Sequence, residues 1–142
     1  MKFKLLFILV FITCISYTQA PNNSSKIIEY LGVERYEGTL QNNPGLISFL
    51  NAKVEYGFEI IDVIPGKEDS FQQLNEIPVI SKSGDATISP EAFLELYKNG
   101  TLNFLMYNFQ TLPNAHSYYK LGNTGKAIIV YSVEYVNSKI SQ

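Results

Sequence analysis

The spacing of apolar residues changes several times along this chain, and each change marks an element. Ile27, Ile28, Leu31, Tyr36 and Leu40 recur every three to four residues, which predicts one or two short helical pieces weakened by Gly32 and Gly38. Asn43-Pro44 is a helix start, because an asparagine side chain can accept from a free first-turn amide and proline lacks only an N–H that the first turn does not use. Leu46, Ile47, Leu50 and Val54 then form one stripe, and the helix is predicted to run from Pro44 to Tyr56, with Gly57 supplying a left-handed residue at its end.

Phe58 to Ile64 reads as a strand closed by Pro65-Gly66. A helical turn is expected around Phe71 and Leu74, and Ile77-Pro78-Val79-Ile80 is a short strand that Pro78 moves toward a sheet edge. Ser89-Pro90 repeats the helix-start chemistry, with Glu91 in the first turn, Phe93, Leu94 and Tyr97 as the apolar face, Lys98 in the last turn and Gly100 as the stop. Thr101 to Phe109 follows as a strand.

Two apolar and aromatic runs, Ser117 to Leu121 and Lys126 to Val136, flank Gly122-Asn123-Thr124-Gly125 and predict a β-hairpin. On its second strand Ala127, Ile129, Tyr131, Val133 and Tyr135 share one face. Ile128, Val130, Ser132, Glu134 and Val136 share the other, and the apolar first half predicts a central strand covered on both sides. The order of elements predicts an α+β domain: a mostly antiparallel sheet of about four or five strands, two or three helices packed on one face, and a closing β-hairpin.

The first twenty residues are set apart by composition. Lys2 and Lys4 precede the apolar run Leu5 to Ile12, followed by polar and small residues from Thr13 to Ala20. That is the pattern of a cleavable signal peptide, and its apolar core is shorter than the roughly 20 residues needed to span a bilayer. Cleavage after Ala20 would place Pro21 behind the cut, whereas cleavage after Thr18 avoids that restriction; Cys14 allows a third outcome, lipid attachment at the end of the apolar core. The expected organisation is a signal at 1–20, a flexible leader at 21–25, one globular α+β domain at 26–136 and a loose tail at 137–142, in an exported protein that is periplasmic or extracellular. No later apolar run reaches transmembrane length.

Charge and composition narrow the chemistry. From Pro21 onward the chain carries nine basic and thirteen acidic side chains and no cysteine, which argues against a nucleic-acid partner and against disulfide, thiolate or cysteine–zinc chemistry. His116 is the only histidine in the chain, so no histidine metal cluster can form from it. No cofactor motif is present: in Gly122-Asn123-Thr124-Gly125-Lys126 the glycine a phosphate loop needs is missing and Ala127 follows the lysine, which favours a hairpin turn.

Two functional readings remain. Nine Tyr, six Phe and twelve Asn follow the signal, and tyrosine pairs a flat apolar ring with a polar tip suited to gripping proteins or sugars. Tyr107, Tyr118, Tyr119, Tyr131 and Tyr135 fall on predicted strands, where one sheet face could present several, and they are the candidate ligand-binding residues of a non-enzymatic module that binds a protein or glycan. The alternative is a small carboxylate-dependent hydrolase, in which Glu91 or Glu95 would share a pocket with Glu59 or Asp62. The export reading predicts that the intact mass of the natively produced protein corresponds to a chain starting at Gln19 or Pro21, recovered outside the cytoplasm; a full-length cytoplasmic mass would overturn it.

Overall fold

The computed structural model describes residues 23–81 and 83–141, so the predicted signal and its cleavage sites lie outside the described residues. Three helices open the chain: α1 (Asn23–Leu31), α2 (Val33–Asn42) and α3 (Pro44–Tyr56). Asn23 to Ser25, expected in a flexible leader, form the first turn of α1. The N-terminus of α3 follows the sequence reading, with the Asn43 side chain accepting from the Leu46 amide at 3.2 Å. Its C-terminus does not. Gly57 sits at φ −75°, and glycine is needed there because a Cβ would lie 2.3 Å from the Lys53 carbonyl oxygen.

The remaining elements are β1 (Phe58–Asp62), β2 (Gln72–Leu74), β3 (Ile77–Val79), β4 (Ala86–Ile88), α4 (Pro90–Lys98), β5 (Ser117–Leu121), β6 (Lys126–Val130) and α5 (Val133–Ile140), with 3-10 turns at Glu68–Ser70 and Phe104–Met106. The fold is α+β. Its main sheet runs β1-β6-β5-β2 and is mixed, because β2 pairs parallel with β5 while β5–β6 and β6–β1 are antiparallel. β3 and β4 form a separate two-stranded sheet.

Five described helices replace the two or three expected; α4 joins the sheet core, whereas α1 and α3 build a second core. Three local features differ from the sequence expectation. Gln72 to Leu74 form strand β2 by pairing with β5, and the helical turn falls earlier, at Glu68–Ser70. Thr101 to Phe109 is not a regular strand: it contains the 3-10 turn and makes one bridge, Tyr107 to Val79. The second hairpin strand stops at Val130, where Ser132 caps α5 by accepting from the Tyr135 amide at 3.2 Å, so most of the expected tail is helical.

One face of the main sheet is closed. Ile128 and Val130 of β6 with Tyr119 and Leu121 of β5 pack under Phe93 and Leu94 of α4 and under Leu102, Phe104 and Phe109. Aromatic rings join this layer: Phe58 stacks on Phe104 at 4.3 Å and Phe104 on Phe109 at 5.5 Å. A second core lies among the N-terminal helices, where Ile27, Ile47 and Leu50 enclose Leu105. α5 packs back against α3.

The 102–105 segment joins the two cores, Phe104 entering one and Leu105 the other. Asn103 between them is buried. Its amide nitrogen donates to the Lys26 carbonyl and to a Glu29 carboxylate oxygen, both at 2.9 Å, while its side-chain oxygen accepts from the Leu105 amide at 3.3 Å. The Lys26 ammonium in turn donates to the Leu102 carbonyl at 2.9 Å. Because removing a buried partner strands the groups it satisfied, Asn103→Ala is expected to cost about 2–3 kcal/mol, read as a lower urea midpoint with an unchanged slope. Asn103→Asp, which cannot donate to the Lys26 carbonyl and sets a carboxylate against Glu29, should cost at least as much.

Candidate functional site

The sheet register sorts the side chains of the hairpin onto two surfaces. Phe58, Ile60 and Asp62 of β1 pair with Val130, Ile128 and Lys126 of β6, and Ser117, Tyr119 and Leu121 of β5 pair with the same three. These residues point to the closed face or its margin. Glu59 and Ile61, Ala127 and Ile129, Tyr118 and Lys120 point to the opposite face.

On that opposite face Ile61, Ile129 and Tyr118 join neither core, Ile61 and Ile129 being half-buried and Tyr118 42% exposed. Phe71, arriving ahead of β2, meets the Tyr118 ring edge-on at 5.9 Å. Beyond the end of β6, Tyr131 stacks on Tyr135 of α5 at 4.3 Å, and the His116 ring meets both edge-on at 5.0 and 5.7 Å. The Lys139 ammonium lies 5.0 Å from the Tyr135 ring centre. His116 Nδ1 accepts from the Ser132 amide at 3.1 Å, which assigns its ring proton to Nε2 in the neutral form. Within the described residues His116 is thereby a support for the start of α5.

The Tyr131 hydroxyl donates to the Glu59 carboxylate at 2.5 Å. This hydrogen bond, then burial and nearby charge, pushes the phenol up to about 12. Since the folded value lies above the ordinary one of 10, the stability this pair contributes is fully present below pH 10 and is lost as pH rises toward 12.

The five candidate tyrosines therefore divide. Tyr118, Tyr131 and Tyr135 gather on or beside the open face, although Tyr131 follows β6 and Tyr135 belongs to α5 instead of a strand. Tyr119 is the immediate neighbour of Tyr118 on β5, points the other way and is only 6% exposed, packed against Phe109 at 5.7 Å. Tyr107 is half-buried, edge-on to Phe93 at 5.0 Å, and burial followed by the Glu29 carboxylate pushes its phenol up. It too belongs to the core side.

The carboxylates form a different site on the other side of the sheet. Glu91, Glu95 and Lys98 of α4 line a groove of about 640 Å³ with Ile60, Leu94, Tyr97, Asn123, Thr124 and Lys126. Asp62 stands at its sheet-side margin, held by the Lys126 ammonium at 2.6 Å in the one ion pair among the described residues. Glu59 is excluded from it, being on the open face with Tyr131. Sequence reasoning named Glu91, Glu95 and Asp62 but not Asn123, Thr124 or Lys126 as groove residues; the hairpin turn was legible, its packing against α4 was not.

Among the described residues no group of three or more His, Cys, Asp or Glu side chains is placed to hold a metal ion, and no helix is long and apolar enough to cross a membrane. No family model, no curated protein and no solved structure matches this chain. The Tyr131–Glu59 geometry gives a direct expectation: in an alkaline titration followed by tyrosinate absorbance, Tyr131→Phe removes a phenol ionising near pH 12, and Glu59→Gln moves that phenol downward.

Proposed function

We propose that this chain is an exported, non-enzymatic domain that binds a protein partner through the open face of its main sheet. The observation that carries the reading is Tyr118, an exposed ring that meets Phe71 and lies opposite the half-buried Ile129 on a face that belongs to neither core. An aromatic anchor among aliphatic side chains, with Glu59 and Lys120 at the margin, is the composition of a protein-interface centre and its rim.

A glycan is the weaker choice of ligand. Sugars stack on free ring faces, and the faces of the Tyr131–Tyr135 pair are engaged by one another, with Lys139 lying over Tyr135. Of the three tyrosines on or beside the open face, Tyr118 is the exposed one left as a platform. The export half of the proposal rests on Lys2, Lys4 and the Leu5–Ile12 run.

The hydrolase reading draws support from the groove, where Glu91, Glu95 and the Asp62–Lys126 pair meet. Glycosidic acid–base work needs carboxylates on opposite sides of a bond. Here the two glutamates rise one turn apart from the same helix and Asp62 across from them is committed to Lys126, so binding is placed first.

The test places a photo-crosslinking residue at position 118, or at exposed Glu37 of α2 as a control, in protein produced by its own cell. Position 118 is expected to give a discrete protein adduct that position 37 does not, and Ile129→Lys should reduce it about tenfold, the equivalent of roughly 1.4 kcal/mol. No adduct from position 118, or equal adducts from both positions, would overturn the reading.

A further inference from the structure

The groove beneath α4 has features that the protein-binding face does not use. Its floor is apolar, made by Ile60, Leu94 and Tyr97, and its rim carries both signs of charge. Glu91, Glu95 and Lys98 occupy positions i, i+4 and i+7 of α4 and so lie along one side of the helix. Because the one ion pair among the described residues is Lys126 with Asp62, neither glutamate is neutralised across the groove and Lys98 is not paired to a carboxylate. The opposite wall is the hairpin turn, whose Asn123 side chain supplies neutral donors and an acceptor, the Thr124 hydroxyl being engaged within the turn.

That wall is fixed in place. Gly122 sits at φ 51°, and a Cβ there would come within 3.2 Å of Pro90 Cγ, so glycine lets the turn seat against the start of α4 without backbone strain or displacement of Pro90. The Gly122 amide donates to the Leu74 carbonyl at 2.9 Å, and its own carbonyl accepts from the Gln73 side chain at 3.1 Å. Within the turn, the Thr124 hydroxyl donates to the Leu121 carbonyl and accepts from the Lys126 amide. The groove is therefore preformed, which lowers the ordering cost of filling it.

We infer that this groove binds a short peptide of two or three residues through its free termini: the ammonium at Glu91 and Glu95, the carboxylate at Lys98, and an apolar side chain on Ile60, Leu94 and Tyr97. The charges set the ligand's length. Glu91 and Lys98 are separated by seven residues of helix, about 10 Å at 1.5 Å per residue, and Glu95 lies roughly half-way. An extended chain advances about 3.3–3.6 Å per residue, so two or three residues span the distance from Glu91 to Lys98, whereas a single amino acid reaches only from Glu95 to Lys98 and leaves Glu91 unused. A volume of about 640 Å³ is in the range of small-ligand sites.

The site is separate from the open face, because Ile60 and Lys126 point away from Tyr118 and Ile129. Failure of the protein-binding reading leaves this inference standing, and the reverse also holds. The test titrates isotope-labelled protein with Ala-Leu-Ala and follows backbone amide resonances. Saturable shifts are expected in 91–98 and 123–126. Acetylating the peptide's N-terminus or introducing Glu91→Gln with Glu95→Gln should each weaken binding about tenfold, as should amidating its C-terminus or Lys98→Met, the usual scale for losing one charge-assisted contact. The substituted side chains are exposed, so retained dispersion of the remaining resonances separates lost binding from lost folding. Absence of saturable groove shifts, equal binding of the doubly blocked peptide, or equally tight binding of free leucine would overturn the inference.

Discussion

The fold depends on a polar residue buried where two apolar cores meet. Leu102, Asn103, Phe104 and Leu105 are consecutive and all buried, which neither strand nor helix periodicity allows for a one-sided element. The 3-10 turn resolves this by sending Phe104 toward the sheet and Leu105 toward the N-terminal helices. Such a turn leaves backbone groups without ladder partners, and the Asn103 amide, with the Lys26 ammonium, bonds them to α1. Two small cores thus act as one, and the start of β1, where Phe58 stacks on Phe104, is fixed relative to the helices.

From that junction the two faces of the sheet acquire different roles. α4 and the 102–109 segment cover the face bearing Ile128, Val130, Tyr119 and Leu121, and α4 meets the hairpin turn at its first residue, where Gly122 lies against Pro90. The groove lies along the margin between the helix and that turn. The other face carries a row of residues with aliphatic and aromatic character that both cores leave out, beside a tyrosine pair braced by Glu59, His116 and Lys139.

Much of the local structure was legible because it is written in residues with one physical use. Asn43-Pro44 and Ser89-Pro90 start helices, Gly100 adopts a positive φ after α4, and Gly122 and Gly125 turn the hairpin. What was not legible required knowledge of partners distant in sequence. β2 is three residues long and exists only by parallel pairing to β5; the 101–109 run has strand composition but is bent by Asn103; and Val133 to Val136 continues an apolar alternation that Ser132 converts to helix. Gly57 was assigned the right residue type for a different reason, since a carbonyl oxygen, not a left-handed backbone, demands it.

The candidate tyrosines show why a site is harder to read than an element. Tyr118 and Tyr119 are adjacent, and in a strand adjacent side chains point oppositely, so composition promises one exposed ring without saying which. The choice is made by register: Tyr119 pairs with Ile128 under α4, leaving Tyr118 opposite Ile129 on the open face. A one-residue slip would exchange them and turn Lys120 toward the core. What prevents it is the turn, where Gly122 is held by Leu74 on one side and fits against Pro90 on the other, and where Thr124 closes on Leu121 and Lys126. The same four-residue turn therefore builds one wall of the groove and selects which tyrosine reaches solvent on the far face.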